Sequence, residues 1–287
     1  MAAAEKSTDG TFFRASIASV SPLSAEWRAR AVARLNSLTK PLGSLGRLED
    51  VAARLVAIRE TERPRFSKKV IFTLAADHGV TDEGVSAYPR AVTRQMVLNF
   101  LAGGAAINVL SRHGGIEVVV VDIGVDGDLG EVGGLVRAKV RHGTRNMARE
   151  AAMSEAELYA ALDVGIELAA WAEKEGHTLI GTGEMGIGNT TAASAITSVL
   201  TGRPAAQVTG CGTGLDAPGL RKKIEVIERA LEVNRPDPSD PLDVLRKGWR
   251  IGNCRAHGLN CRCGFPPNSG GYRWLYLNRG GGRGLRA

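Results

Sequence analysis

The chain has 287 residues, 44% of them hydrophobic and 5% aromatic, and a formal net charge of +7. That length supports one large core or two modest ones. No stretch reaches the roughly 18 uncharged apolar residues of a membrane span, and Met1-Ala2-Ala3-Ala4-Glu5-Lys6 lacks a secretory apolar centre, so a cytoplasmic protein with no membrane partner is expected.

The positive charge does not signal a nucleic-acid partner for the body of the protein. Residues 248–287 carry seven arginines and no Lys, Asp or Glu, which leaves residues 1–247 neutral. Cys254, Cys261 and Cys263 also lie in that tail, with only Cys211 elsewhere, so no disulfide framework is expected. The character of the chain changes at about residue 248.

In chain order, residues 1–14 read as a flexible N-terminus and 15–65 as a small helical element. Its periodicity runs through Trp27, Ala31 and Leu35, then Leu48, Val51, Leu55 and Ile58, with a break at Lys40-Pro41-Leu42-Gly43-Ser44-Leu45-Gly46. Residues 66–247 read as an α/β core. Lys69 to Ala76 is a continuous apolar run ending in Asp77-His78-Gly79, the pattern of a parallel strand with polar groups at its carboxyl end. A loop with Ser86-Ala87-Tyr88-Pro89 precedes an expected helix from Thr93 to Arg112, weakened by Gly103-Gly104.

Glu117 to Asp126 repeats the strand-then-acidic-loop scheme. Ser154 and Glu157 form a capping box opening a helix to about Glu175, with Leu158, Leu162, Ile166 and Ala169 on one face. His177 to Ile180 then reads as a strand, followed by a glycine-rich turn and a helix from Thr190 to Leu200. Alternating strands and helices predict an α/β fold with a doubly wound, mostly parallel, Rossmann-like sheet.

The turn, GTGEMGIGNTTAASAI over 181–196, is the strongest chemical signal. Gly181, Gly183, Gly186 and Gly188 let backbone approach a ligand, while Asn189, Thr190 and Thr191 can cap a helix whose positive end attracts an anion. The turn contains G-x-G-x-x-G, but the acidic residue a dinucleotide site needs about 20 residues on is replaced by Thr201-Gly202-Arg203-Pro204. No Gly-Lys-Ser/Thr follows, so it is not a Walker loop. A turn used only for close packing is the bland alternative. Glu184 argues against it, because a carboxylate in an anion site is costly unless it serves a ligand hydroxyl or a proton.

Asp77-His78 could be half of a metal pair or a hydrogen-bonded strand end; no second histidine cluster supports a metal. Gly210-Cys211-Gly212-Thr213-Gly214-Leu215-Asp216 is a second flexible turn, followed by Arg221-Lys222-Lys223, either a solvated face or cations reaching a phosphate. In the tail, Cys254, His257, Cys261 and Cys263 do not match common zinc spacings.

RLNSLTKPLGSLGRLE (34–49), AADHGVTDEGVSAYPRAVTRQMV (75–97), GTGEMGIGNTTAASAI (181–196) and GCGTGLDAPGLRKKI (210–224) together resemble the nicotinate-nucleotide:dimethylbenzimidazole phosphoribosyltransferases of cobalamin biosynthesis. The resemblance runs from about residue 15 to 247; Leu42 and Cys211 depart from it, where the family tends to have proline and arginine. It implies a homodimer that moves the phosphoribosyl group from nicotinate mononucleotide to 5,6-dimethylbenzimidazole, with no cofactor, no metal and no nucleic acid.

By the same resemblance, Gly183, Met185, Gly186, Ile187, Gly188, Asn189, Thr190 and Thr191 line the substrate site, and Lys223 is a candidate phosphate contact. Asp77 and His78 also belong to that site, Ser86 lies near the benzimidazole, and Glu184 is the catalytic candidate near the ribose. The family's general base, a glutamate in a C-terminal Gly-Glu-Gly-Thr-Gly motif, is absent from this chain.

The genetic code explains the odd tail as a frameshift. Gly248-Trp249-Arg250-Ile251-Gly252-Asn253-Cys254 written as GGN UGG CGG AUU GGN AAY UGC, and read one base later, permits Val-Gly-Gly-Leu-Glu-Ile-Ala, which the family has here. Residues 271–278 shifted the same way permit Val-Ile-Asp-Gly-Phe-Ile-Ser-Thr, a second family segment. Residues 248–287 are therefore expected to be a non-family, frameshifted and disordered tail.

Overall fold

The computed structural model describes residues 9–248. The expectations for residues 1–8 and for the tail beyond Gly248 lie outside the described residues.

Three helices come first: α1 (Thr11–Ala18), α2 (Ala25–Asn36) and α3 (Arg47–Arg59). α1 begins inside the segment expected to be a loose N-terminus. Phe13 explains why it is ordered: the ring is buried against Tyr159, centroids 6.2 Å apart, and the Arg14 guanidinium lies over the same tyrosine ring. Eight residues are too few to show a helical period, so the sequence pattern missed it. α2 and α3 form a hairpin across the Lys40-to-Gly46 break, which the Lys40–Glu49 ion pair bridges at 2.7 Å.

The core then runs β1 (Lys69–Ala76), a 3-10 turn (Gly79–Glu83), α4 (Ala91–Leu101), α5 (Ala106–Gly114), β2 (Glu117–Gly124), β3 (Leu135–Arg137), α6 (Glu155–Lys174) and β4 (Leu179–Met185). It closes with α7 (Asn189–Thr201), α8 (Ala205–Val208), α9 (Ala217–Asn234) and α10 (Pro241–Lys247). The four strands pair in parallel in the order β3-β2-β1-β4. Phe72, Leu74, Val121 and Ile123 pack against α6 on one face, while Ala75 and Val120 pack with Val97 and Phe100 of α4 on the other. This is the doubly wound arrangement.

Three boundaries differ from the sequence pattern. The single helix expected over 93–112 is two helices: Gly103 turns left-handed at φ 76°, and a Cβ on Gly104 would stand 2.4 Å from Asn99 Oδ1. β2 stops at Gly124 rather than Asp126, because Asp122 Oδ1 accepts the Val125 N–H and turns the chain. β4 continues to Met185 instead of ending at Ile180. Its glycines carry no hydrophobic signal, yet Gly181 pairs with Ile71, and a Cβ there would come within 2.9 Å of the Ile71 side chain.

The capping box of α6 is present: Ser154 Oγ accepts from Glu157 N, and Glu157 Oε2 accepts from Ser154 N. Leu158, Leu162, Ile166 and Ala169 are buried as expected, but so are Ala161, Val164, Leu168 and Ala172, because α1 and the sheet sandwich the helix. Within it sits Asp163, 3% exposed, with neither carboxylate oxygen hydrogen-bonded. Burial first, then repulsion from Glu167 and Asp9, pushes its pKa up to about 6.

The folded state thus holds a proton there that the unfolded chain releases at lower pH, so Asp163 subtracts stability as pH rises from about 4 through 6 and stays unfavourable above. Asp163→Asn is expected to raise Tm at pH 8 and leave it nearly unchanged at pH 4. Equal shifts at the two pH values, measured by circular dichroism, would sink this account.

Candidate functional site

The strand order reverses at β1: the chain steps outward to β2 and β3, then returns to place β4 on β1's other side. Ligands of open α/β sheets bind outside the carboxyl ends of strands at such a switch. At this switch Asp77-His78, after β1, packs against the turn that follows Met185.

Asp77 and His78 are both 1% exposed. Asp77 Oδ2 accepts the Asp126 N–H at 2.7 Å, tying the ends of β1 and β2, and burial raises its pKa above the usual carboxylate value despite that hydrogen bond. His78 Nε2 lies 3.1 Å from Glu184 Oε1, and Glu184 Oε2 accepts from Asn189 Nδ2. Of the two readings of Asp77-His78, the structure gives the hydrogen-bonded strand end. Both side chains are buried, and among the described residues no three metal-ligating side chains cluster.

Gly183, Glu184 and Met185 are strand residues opposite Thr73, Leu74 and Ala75, so the turn proper is Gly186 to Gly188. Gly186 is required there: a Cβ would stand 2.1 Å from the Ala76 carbonyl, 2.7 Å from His78 Nε2 and 2.9 Å from Glu184 Oε1. Ile187 is buried, and its N–H donates to Thr93 Oγ1, a support from α4 that sequence spacing could not reveal. Gly188 starts α7 in the left-handed conformation at φ 88°, and no side chain caps the helix. The cap expected from Asn189, Thr190 or Thr191 is therefore absent; Asn189 holds Glu184 instead, and the Thr191 hydroxyl is buried with no hydrogen bond.

Thr190 is the exposed residue of that first turn, and its Oγ1 accepts from Lys223 Nζ at 2.9 Å. Lys223 is fully buried and also donates to the Gly210 carbonyl at 3.1 Å; burial lowers its pKa below the ordinary lysine value. An ammonium and a helix N-terminus, both positive, thus converge on one spot. Of the two readings of the Arg221-Lys222-Lys223 run, solvated face or inward cation, Lys223 takes the second, while Arg221 and Lys222 are exposed.

The 210–214 turn closes over this spot: a Cβ on Gly212, at φ 58°, would lie 2.9 Å from Thr190 Oγ1 and 3.1 Å from Lys223 Nζ. Thr213 Oγ1 in turn meets Ser86 Oγ at 3.1 Å. The Ser86 loop, the Lys223 ammonium and the α7 N-terminus therefore frame one side of the crevice, with Glu184 at the end of β4. Thr213 and Thr93 were not singled out from sequence.

A family profile described as "Phosphoribosyltransferase" matches residues 20–252. The chain is 56% identical over 253 residues to the nicotinate-nucleotide–dimethylbenzimidazole phosphoribosyltransferase of Geobacter sulfurreducens, covering 88% of this chain and 72% of that protein. It is 53% identical over 235 residues to the enzyme of the same name from Chloroflexus aggregans, covering 81% and 67%. The crystal structure of CobT from Thermus thermophilus superposes with a TM-score of 0.79 at 44% identity, covering 88% of this chain and 74% of that one. These similarities span the sheet, the switch-point crevice and both glycine turns.

Proposed function

We propose, because the chain belongs to the nicotinate-nucleotide–dimethylbenzimidazole phosphoribosyltransferase family, that its crevice binds nicotinate mononucleotide and is built to pass the phosphoribosyl group to 5,6-dimethylbenzimidazole. The observation that carries this is the buried Lys223 ammonium set on Thr190 at the uncapped start of α7, a site that only an anion balances. The 5′-phosphate occupies it. Glu184, at the neighbouring strand end, accepts ribose hydroxyls, and the Ser86 loop borders the benzimidazole.

The chemistry asks little of covalent catalysis. The pyridinium of the mononucleotide is already a good leaving group, so the work is to align the incoming ring nitrogen with the anomeric carbon and to remove its N–H proton. Attack with inversion forms the new C–N bond, expels nicotinate and leaves α-ribazole 5′-phosphate. The Gly-Glu-Gly-Thr-Gly motif whose glutamate serves the family as proton acceptor is absent from the sequence. This chain is therefore expected to bind the mononucleotide with little or no turnover.

Isothermal titration with nicotinate mononucleotide, paired with a nicotinate-release assay, tests the reading. Saturable binding with weak release supports it; no binding at millimolar ligand rejects it. Among the described residues no helix is long and apolar enough to cross a membrane, and the proposed state is a cytoplasmic homodimer, which sedimentation of the purified chain checks.

A further inference from the structure

We infer that His78 is a positioning residue, donating from Nε2 to Oε1 of Glu184 and fixing that carboxylate toward the ribose; this rests on the phosphoribosyl reading above. The imidazole is 1% exposed, and the polar side chain it meets is the Glu184 carboxylate. Any influence on the reaction passes through Glu184, itself only 5% exposed and 3.1 Å away.

The ring is held tightly. The His78 carbonyl accepts both the Thr81 N–H at 3.1 Å and the Thr81 hydroxyl at 2.7 Å, which locks the backbone into the 3-10 turn. Gly186 and Gly188 leave space on the opposite side: a Cβ on Gly186 would press on Nε2, and one on Gly188 would lie 3.5 Å from the His78 Cβ. Meanwhile Nδ1 is buried with no hydrogen-bond partner. Among the described residues the one hydrogen bond of the imidazole is thus to the Glu184 carboxylate.

A carboxylate has about four acceptor positions. His78 and Asn189 each occupy one, on different oxygens, so the group is clamped at both ends. Without the two donors, a carboxylate this deeply placed would turn toward water or take up a proton. The inference also explains why a fully buried histidine sits beside a glycine that must be glycine: the pair keeps Nε2 and Oε1 within hydrogen-bond reach.

Ring-nitrogen NMR on the full chain, labelled with ¹⁵N-histidine, is the first test. Nε2 is expected to carry a proton, and its signal should move in Glu184→Gln; an unprotonated Nε2 overturns the inference. The second is nicotinate mononucleotide titration of two variants. His78→Leu should lose at least about tenfold in affinity, whereas His78→Gln, whose amide nitrogen reaches the place of Nε2, should stay within about threefold. Equal losses in both variants, or none in His78→Leu, would mean that the imidazole only fills space. Failure of the unaltered chain to bind the mononucleotide rejects the phosphoribosyl reading instead, and the ring measurement then decides the His78–Glu184 pairing by itself.

Discussion

Resuming the reading frame one base later at codon 248 is expected to raise transferase turnover by at least about a hundredfold over the chain as it stands, the range over which a general base contributes. The attacking benzimidazole nitrogen must lose its proton, and the carboxylate proposed for the ribose, Glu184, is already engaged by His78 and Asn189. The shifted frame permits Val-Gly-Gly-Leu-Glu-Ile-Ala directly after Lys247 and Val-Ile-Asp-Gly-Phe-Ile-Ser-Thr further on.

The family match ends at residue 252, four residues past that codon. Two genes, one as given and one carrying the shift, would be expressed and assayed for nicotinate release with dimethylbenzimidazole present. Comparable rates from both would show that the tail supplies the missing proton acceptor and would end the frameshift proposal. So would resequencing across codons 246–250 that finds an intact frame encoding this tail.

Some of this site could be read from residue order and some could not, and the difference has a physical cause. The Asp77-His78 strand end, the second glycine turn and Lys223 stood out because each couples an unusual residue type to a local break. Their roles did not follow. Asn189 looked like a helix cap, yet in space its carboxamide reaches back across the turn to Glu184, a choice set by how β4 enters α7 rather than by propensity. Asp77 and His78 read as site residues from their place at a strand end, while their burial and the Glu184 and Asp126 contacts come from other elements.

β3 is only three residues long, and α1 is held by Tyr159, far along the chain, so neither has a signature of its own. The extension of β4 through Gly181 and Gly183 is similar: backbone pairing with β1 supplies the strand, and hydrophobic pattern cannot report backbone pairing. Periodic burial is local and therefore legible. Contacts that cross from one element to another are not.

Lys223→Met should weaken nicotinate mononucleotide binding by about a hundredfold while leaving Tm unchanged or higher. The two effects have opposite signs for one reason. In the free protein the ammonium is fully buried against neutral partners, the Thr190 hydroxyl and the Gly210 carbonyl, and burial holds its pKa down, which means that keeping it charged near neutrality costs folding free energy. Methionine matches the stem, removes that cost and gives up two hydrogen bonds.

In the proposed complex the same ammonium would face a phosphate beside the α7 N-terminus, where its charge is used in full. The control is nicotinate riboside, which lacks the phosphate: its affinity should change less than about threefold. A large loss for the riboside as well would mean that the variant has disturbed the 210–214 turn rather than a phosphate contact. Unchanged mononucleotide binding would remove Lys223 from the site. The buried cation is then a case in which the free chain tolerates a destabilising group because only the ligand can neutralise it.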